Sequence, residues 1–84
     1  MERSEVISKL KSDGAVYRCQ GLLACLTCDI RDEEIVKEIR KLTADHTVIL
    51  GRPLSALANA TLDRLGIEPY TGTDQATLEF IKNL

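Results

Sequence analysis

Three cysteines and one histidine are the residues of this chain whose types lend themselves most readily to chemistry. Cys25-Leu26-Thr27-Cys28 is a C-x-x-C, Cys19 stands six residues upstream of Cys25, and His46 eighteen downstream of Cys28. Three thiolates and an imidazole would make a zinc-type donor set. The spacing argues against one. At roughly 100° per residue Cys25 and Cys28 share a face of a continuous helix, while Cys19 lies about half a turn of azimuth from Cys28. No Gly or Pro between Leu22 and Cys28 breaks that helix. A redox pair needs a thiolate stabilised at a helix N-terminus, whereas Cys25 falls late in its helix, where the dipole disfavours negative charge. The cysteines therefore read as small buried hydrophobes.

The remaining polar groups are no more suggestive of catalysis. His46 has no Ser or Cys placed by sequence to act as its nucleophile, so a triad is a poor fit. Asp32-Glu33-Glu34 is explained by a solvated helix start. Gly51-Arg52-Pro53 and Thr71-Gly72-Thr73 lack the Gly spacing and Lys of a phosphate loop. The expectation is a chain with no catalytic residues, no metal and no cofactor.

The elements that hold these residues read as helices. Val6, Ile7 and Leu10 follow Ser4, a candidate N-cap, and stop at Ser12-Asp13-Gly14 with Gly as a candidate C-terminal cap. Ala15, Cys19, Leu22, Leu23 and Leu26 form a second stripe at spacings of three and four. Asp32 then caps a third helix whose buried face is Ile35, Val36, Ile39 and Leu42, with Lys37, Arg40 and Lys41 toward its C-terminus. Residues 45–53 either kink or turn into a fourth helix that begins at about Pro53 and carries Leu54, Leu57, Ala58, Thr61, Leu62 and Leu65. Gly66 and Pro69 stop it, and a last helical segment spans 74–84. Ile7, Leu10, Leu22, Leu26, Ile39, Leu42, Leu54, Leu57, Leu62 and Leu65 are the expected core.

The chain also echoes itself at an offset of 32 residues. Glu2 falls on Glu34, Ile7 on Ile39, Lys9 on Lys41, Leu10 on Leu42, Asp13 on Asp45, Val16 on Val48, Leu22 on Leu54 and Ala24 on Ala56. A period between about 20 and 50 residues marks stacked-repeat architectures. The expected units are about 2–31 and 32–66, with a terminal helix at 74–84. The 84 residues suffice for one domain near the lower end of the size that buries a useful core. A net charge of -2 with interspersed signs provides no electrostatic footprint for nucleic acid or an anionic membrane. With no apolar signal core and no run long enough to span a bilayer, the chain reads as cytoplasmic. An odd number of cysteines fits a reducing compartment.

An Ile-x-x-Leu in a short helix, an Asp at the turn, a Val three residues on, and a second helix with Ala and Leu facing inward resemble the HEAT-like helical repeat family. The matching residues are Ile7, Leu10, Asp13, Val16 and Ala24 in the first unit and Ile39, Leu42, Asp45, Val48, Ala56 and Leu57 in the second. HEAT units usually place a basic residue beside that Val, where Tyr17 and Ile49 stand here, and Pro53 interrupts the second unit. The resemblance implies an all-α fold of about five helices, antiparallel helical hairpins stacked as a short α-solenoid. It also implies a curved stack whose concave face binds another macromolecule; with the charge balance disfavouring nucleic acid and membrane, the expectation is a non-catalytic module or adaptor that binds another protein. The family's iron-binding enzymes use repeated His-Glu pairs that this chain lacks.

In such a stack the second helix of each pair tends to line the concave face, which nominates Arg18, Gln20, Arg52, Asn59 and Asp63 as partner-binding residues. Two and a half units is short for a solenoid, so the end faces are candidates for a homodimer. The alternatives are a generic helical bundle that dimerises through an apolar face, and a small metal- or thiol-dependent protein using Cys25 and Cys28.

Overall fold

In the computed structural model, which describes residues 2–84, five helices and one β-hairpin follow in the order α1 (Arg3–Leu10), α2 (Ala15–Thr27), α3 (Glu33–Leu42), β1 (Val48–Ile49), β2 (Arg52–Pro53), α4 (Leu54–Arg64) and α5 (Gln75–Lys82). The chain is thus mostly helical, with a two-stranded sheet as its only β structure among the described residues.

The helix boundaries follow capping chemistry where the sequence supplies it. The Asp32 side chain accepts from the Glu34 amide at 3.0 Å, and Glu33 and Glu34 complement the positive end of α3. Asp74 caps α5 in the same way, accepting from the Thr77 amide and hydroxyl at 3.0 and 2.7 Å. Gly66 takes a left-handed φ of 75° just past α4, with Ile67 N–H donating to Leu62 and Gly66 N–H to Asp63, a Schellman closure. α2 closes likewise through Ile30 and Asp29 onto Cys25 and Leu26, with Asp29 at φ 52° in the position that Gly usually takes. The start of α1 differs from expectation. Glu2, not Ser4, precedes it and no side chain caps it. Gly14 is the N-cap of α2 and not a C-terminal cap of α1.

α1 packs on α2, α3 on α4, α2 on α4, α1 on α3, and α5 chiefly on α4. α4 is therefore central, and Leu54, Leu57, Ala58, Ala60, Thr61 and Leu62 are all buried along it. The tightest approach is between α1 and α2. A Cβ on Gly21 would lie 2.9 Å from Leu10 Cδ2 and 3.1 Å from the Leu10 backbone nitrogen, so only Gly lets the two helices come this close. That approach fixes the rotation of α1, burying Val6 and Leu10 and leaving Ile7 half-buried. Of the expected core, Ile7 and Leu26 pack at its edge and the other eight residues are buried in one cluster, joined by Val6, Cys19, Cys25, Ile35, Val36, Leu78 and Ile81.

Residues 45–53 do not kink but turn into α4, which begins at Leu54 with Pro53 as its N-cap. They make a hairpin with Val48 opposite Pro53 and Ile49 opposite Arg52. The two turn residues, Leu50 and Gly51, both have positive φ, 55° and 76°, as a type I′ turn requires. The Asp45 carboxylate accepts from the Thr47 amide at 3.0 Å, Thr47 C=O accepts from Leu54 N–H, and Asp45 C=O from Ser55 N–H, so the hairpin is laced to the start of α4. Among the described residues no helix is long and apolar enough to cross a membrane.

Candidate functional site

The hairpin folds back over the joint between α2 and α4, where α5 also arrives. These elements enclose an apolar dimple of about 70 Å³. Cys19 of α2 and Leu57 of α4, both buried, line it together with half-buried Leu23, Ile49 and Phe80. Leu50 and Arg52 complete the lining from the hairpin. The Arg52 guanidinium carbon stands 4.6 Å from the centroid of the Phe80 ring, a cation–π contact that seats the charge beside apolar surface. Its Nη1 reaches the Leu50 carbonyl only at 3.4 Å, and its Nε is shut off from solvent without an acceptor.

Leu50 is the anomaly of the hairpin. It is 77% exposed and holds a left-handed backbone that a branched apolar side chain disfavours, where Asn or Gly would normally sit. Two local preferences are breached by one residue. Nearby elements add further exposed apolar side chains: Val48 on β1, and Val16 and Tyr17 at the start of α2. Leu23 also borders a shallow groove of about 330 Å³ with Ala24, Thr27, Gln20 and Cys28, so the outward face of α2 continues the apolar surface away from the dimple.

The five residues nominated from sequence are scattered by the fold. Arg18 is largely covered, with Nε 3.0 Å from Asp45 Oδ2 and Nη1 donating to the Ser12 carbonyl at 2.8 Å, so it ties two loops together. Asn59 accepts from the Thr71 amide at 2.9 Å and Asp63 from the Tyr70 amide at 2.8 Å, which pins the loop between α4 and α5 onto α4. Gln20 accepts from Lys9 Nζ at 2.8 Å on the open side of α2 and borders the shallow groove. Arg52 alone lines the dimple. Leu50 and Phe80, which lie 30 positions apart, come together only through the tertiary fold.

A second, more polar cleft of about 310 Å³ gathers His46, Ser55, Asn59, Tyr70 and Asp74 between the hairpin and the α4–α5 loop. It places the single histidine among hydroxyls, yet among the described residues no hydrogen bond joins His46 to Ser55, Tyr70 or Asp74. The Tyr70 hydroxyl is occupied by the Asp74 backbone, donating to its carbonyl at 2.9 Å and accepting from its amide at 3.1 Å. Burial is the main influence holding the Tyr70 hydroxyl above its ordinary pKa.

Cys19 and Cys25 are buried as packing residues, whereas Cys28, expected to be buried with them, is exposed just past the end of α2. Burial, with a smaller push from neighbouring Cys28, drives the Cys25 thiol up to about 11, and burial also raises Cys19. Neither is a thiolate at neutral pH. Among the described residues no group of three His, Cys, Asp or Glu side chains is placed to hold a metal ion.

Comparison with protein-family models, with curated proteins and with solved structures finds no significant match.

Proposed function

We propose that this chain is a non-catalytic protein-interaction module built from two HEAT-like helical hairpins, with α5 folded onto the second. The stacking reading is supported by the packing pattern: the first helices of the pairs, α1 and α3, touch each other, and so do the second helices, α2 and α4. Nearest-neighbour stacking of hairpins produces this pairing. Arg3 adds to it by bridging from α1 to Asp32 and Glu34 at the start of α3, at 2.7 to 3.0 Å.

The observation that carries the functional reading is the dimple with Leu50 on it. An exposed leucine in a strained turn, an arginine stacked on a phenylalanine and a small apolar recess are the ingredients of an interface centre. The polar cleft, by contrast, offers no poised acid–base pair.

The test is affinity capture from the native host with the intact chain and with Leu50→Asp and Leu23→Glu variants of verified fold. The module reading expects a protein retained by the parent chain and lost from both variants. Retention that is equal on all three, or no specific partner at all, contradicts it.

A further inference from the structure

Building on the interaction-module reading, we infer that the dimple accepts one aliphatic side chain of a partner protein whose adjacent carboxylate pairs with Arg52. The recess sets the apolar half of this preference. Its lining of Cys19, Leu23, Ile49, Leu57 and Phe80 gives water few partners. One aliphatic group suits so small and apolar a recess. Displacing poorly bonded water by an apolar group favours binding.

Arg52 sets the charged half. Among the described residues no carboxylate lies within 4 Å of it, although Arg18, Arg31, Arg3 and Arg40 are all ion-paired. Asp74 feels the Arg52 charge, but its carboxylate oxygens are taken by the Thr77 amide and hydroxyl. The buried Nε and the long Nη1 contact leave a guanidinium whose donors are mostly unused, stacked on Phe80 beside apolar surface. Such a fork matches a carboxylate in a partly dehydrated setting. An uncharged apolar partner would bury it unpaired, which is costly.

Selection of short linear peptides from a randomised display library on the intact chain tests this directly. Enriched peptides are expected to carry Leu, Ile, Val or Met within one or two positions of Asp or Glu. The best of them, resynthesised with the acid changed to Asn or Gln, is expected to bind at least about tenfold more weakly. Arg52→Gln should lose a similar factor and should no longer distinguish the two peptides. The peptide-side change leaves the protein untouched, so the result holds even if Arg52→Gln fails to fold. Enrichment without acidic residues, equal binding of the acid and amide peptides, or a library that yields no binder overturns the inference. None of these touches the module reading, which stands or falls on capture from the host.

Discussion

Arg18 and Asp45 meet at 3.0 Å between Nε and Oδ2 and join the start of α2 to the loop that launches the hairpin. Both side chains are mostly covered, and Arg18 also holds the Ser12 carbonyl at the turn between α1 and α2. Removing Arg18 therefore loosens both loops at once. Arg18→Ala is expected to cost about 1.5–3 kcal/mol, the range for bonds to charged groups. A double-mutant cycle with Asp45→Ala in chemical denaturation should return a coupling near 1 kcal/mol. Strict additivity would refute the link.

The carboxylates make stability depend on acid. Burial is the largest influence on Asp45 and pushes it up, but the Thr47 amide and hydroxyl and the Arg18 charge outweigh it, so its pKa lies below normal. Hydrogen bonds from Arg3 lower Asp32, and those from the Thr77 side chain and amide lower Asp74. A depressed folded pKa gives stability that is present above the unfolded value, about 4, and lost as pH falls through the folded one. Cys25 has the opposite sense. Its pKa is raised to about 11, so its contribution is complete below its ordinary value near 9 and disappears as pH rises through about 11. Denaturation midpoints should form a plateau between about pH 5 and 8 that declines on both sides. A midpoint unchanged down to pH 3 would contradict the acid limb. Cys25→Ser or Cys25→Ala in the same titration should flatten part of the alkaline limb.

Gly21→Ala tests the close crossing of α1 and α2. Helix propensity alone favours Ala by about 1 kcal/mol. The added Cβ meets Leu10 at 2.9 Å and its backbone nitrogen at 3.1 Å, so α1 has to move. The expected net effect is a loss of about 1–3 kcal/mol, as for overpacked sites. A stabilised variant would mean that the helices are farther apart than described.

Leu50→Asn should do the reverse. The turn needs a left-handed residue, and Asn adopts that backbone readily while removing an exposed apolar side chain. A gain of about 0.5–1 kcal/mol in denaturant is expected, accompanied by weaker partner capture. A residue that costs stability at an exposed position and contributes to binding is the trade-off seen at functional surfaces. Stabilisation with unimpaired capture would remove Leu50 from the interface.

The third and fourth helices were legible in the chain because their signals are local. Asp32 caps, Ile35, Val36, Ile39 and Leu42 repeat at helical spacing, and Gly66 stops α4. The hairpin was not, since two-residue strands have no period and Leu50-Gly51 lacks the Asn-Gly signature of its turn. The 32-residue echo is matched by the structure only in part. It aligns Val48 with Val16, yet the first belongs to β1 and the second to α2, so the echo holds in secondary structure for the first helices and lapses where the hairpin replaces the opening turns of the second. Val6 displaced Ile7 from the core because the Gly21 crossing sets the rotation of α1, a tertiary fact with no trace in the helix's own spacing. Arg52 stands out in sequence as an arginine near a helix start, but Phe80 and Leu23 become its neighbours only after folding.

Amide hydrogen exchange of the chain, alone and bound to the protein captured from its host, reports which face holds the partner. Slowed exchange in residues 48–53, along Leu23–Cys28 and around Phe80, with the loop at 67–73 unchanged, is the result expected if the dimple and the outer face of α2 hold the partner. Protection confined to the cleft around His46 and Tyr70, with the hairpin exchanging as freely as before, would contradict it.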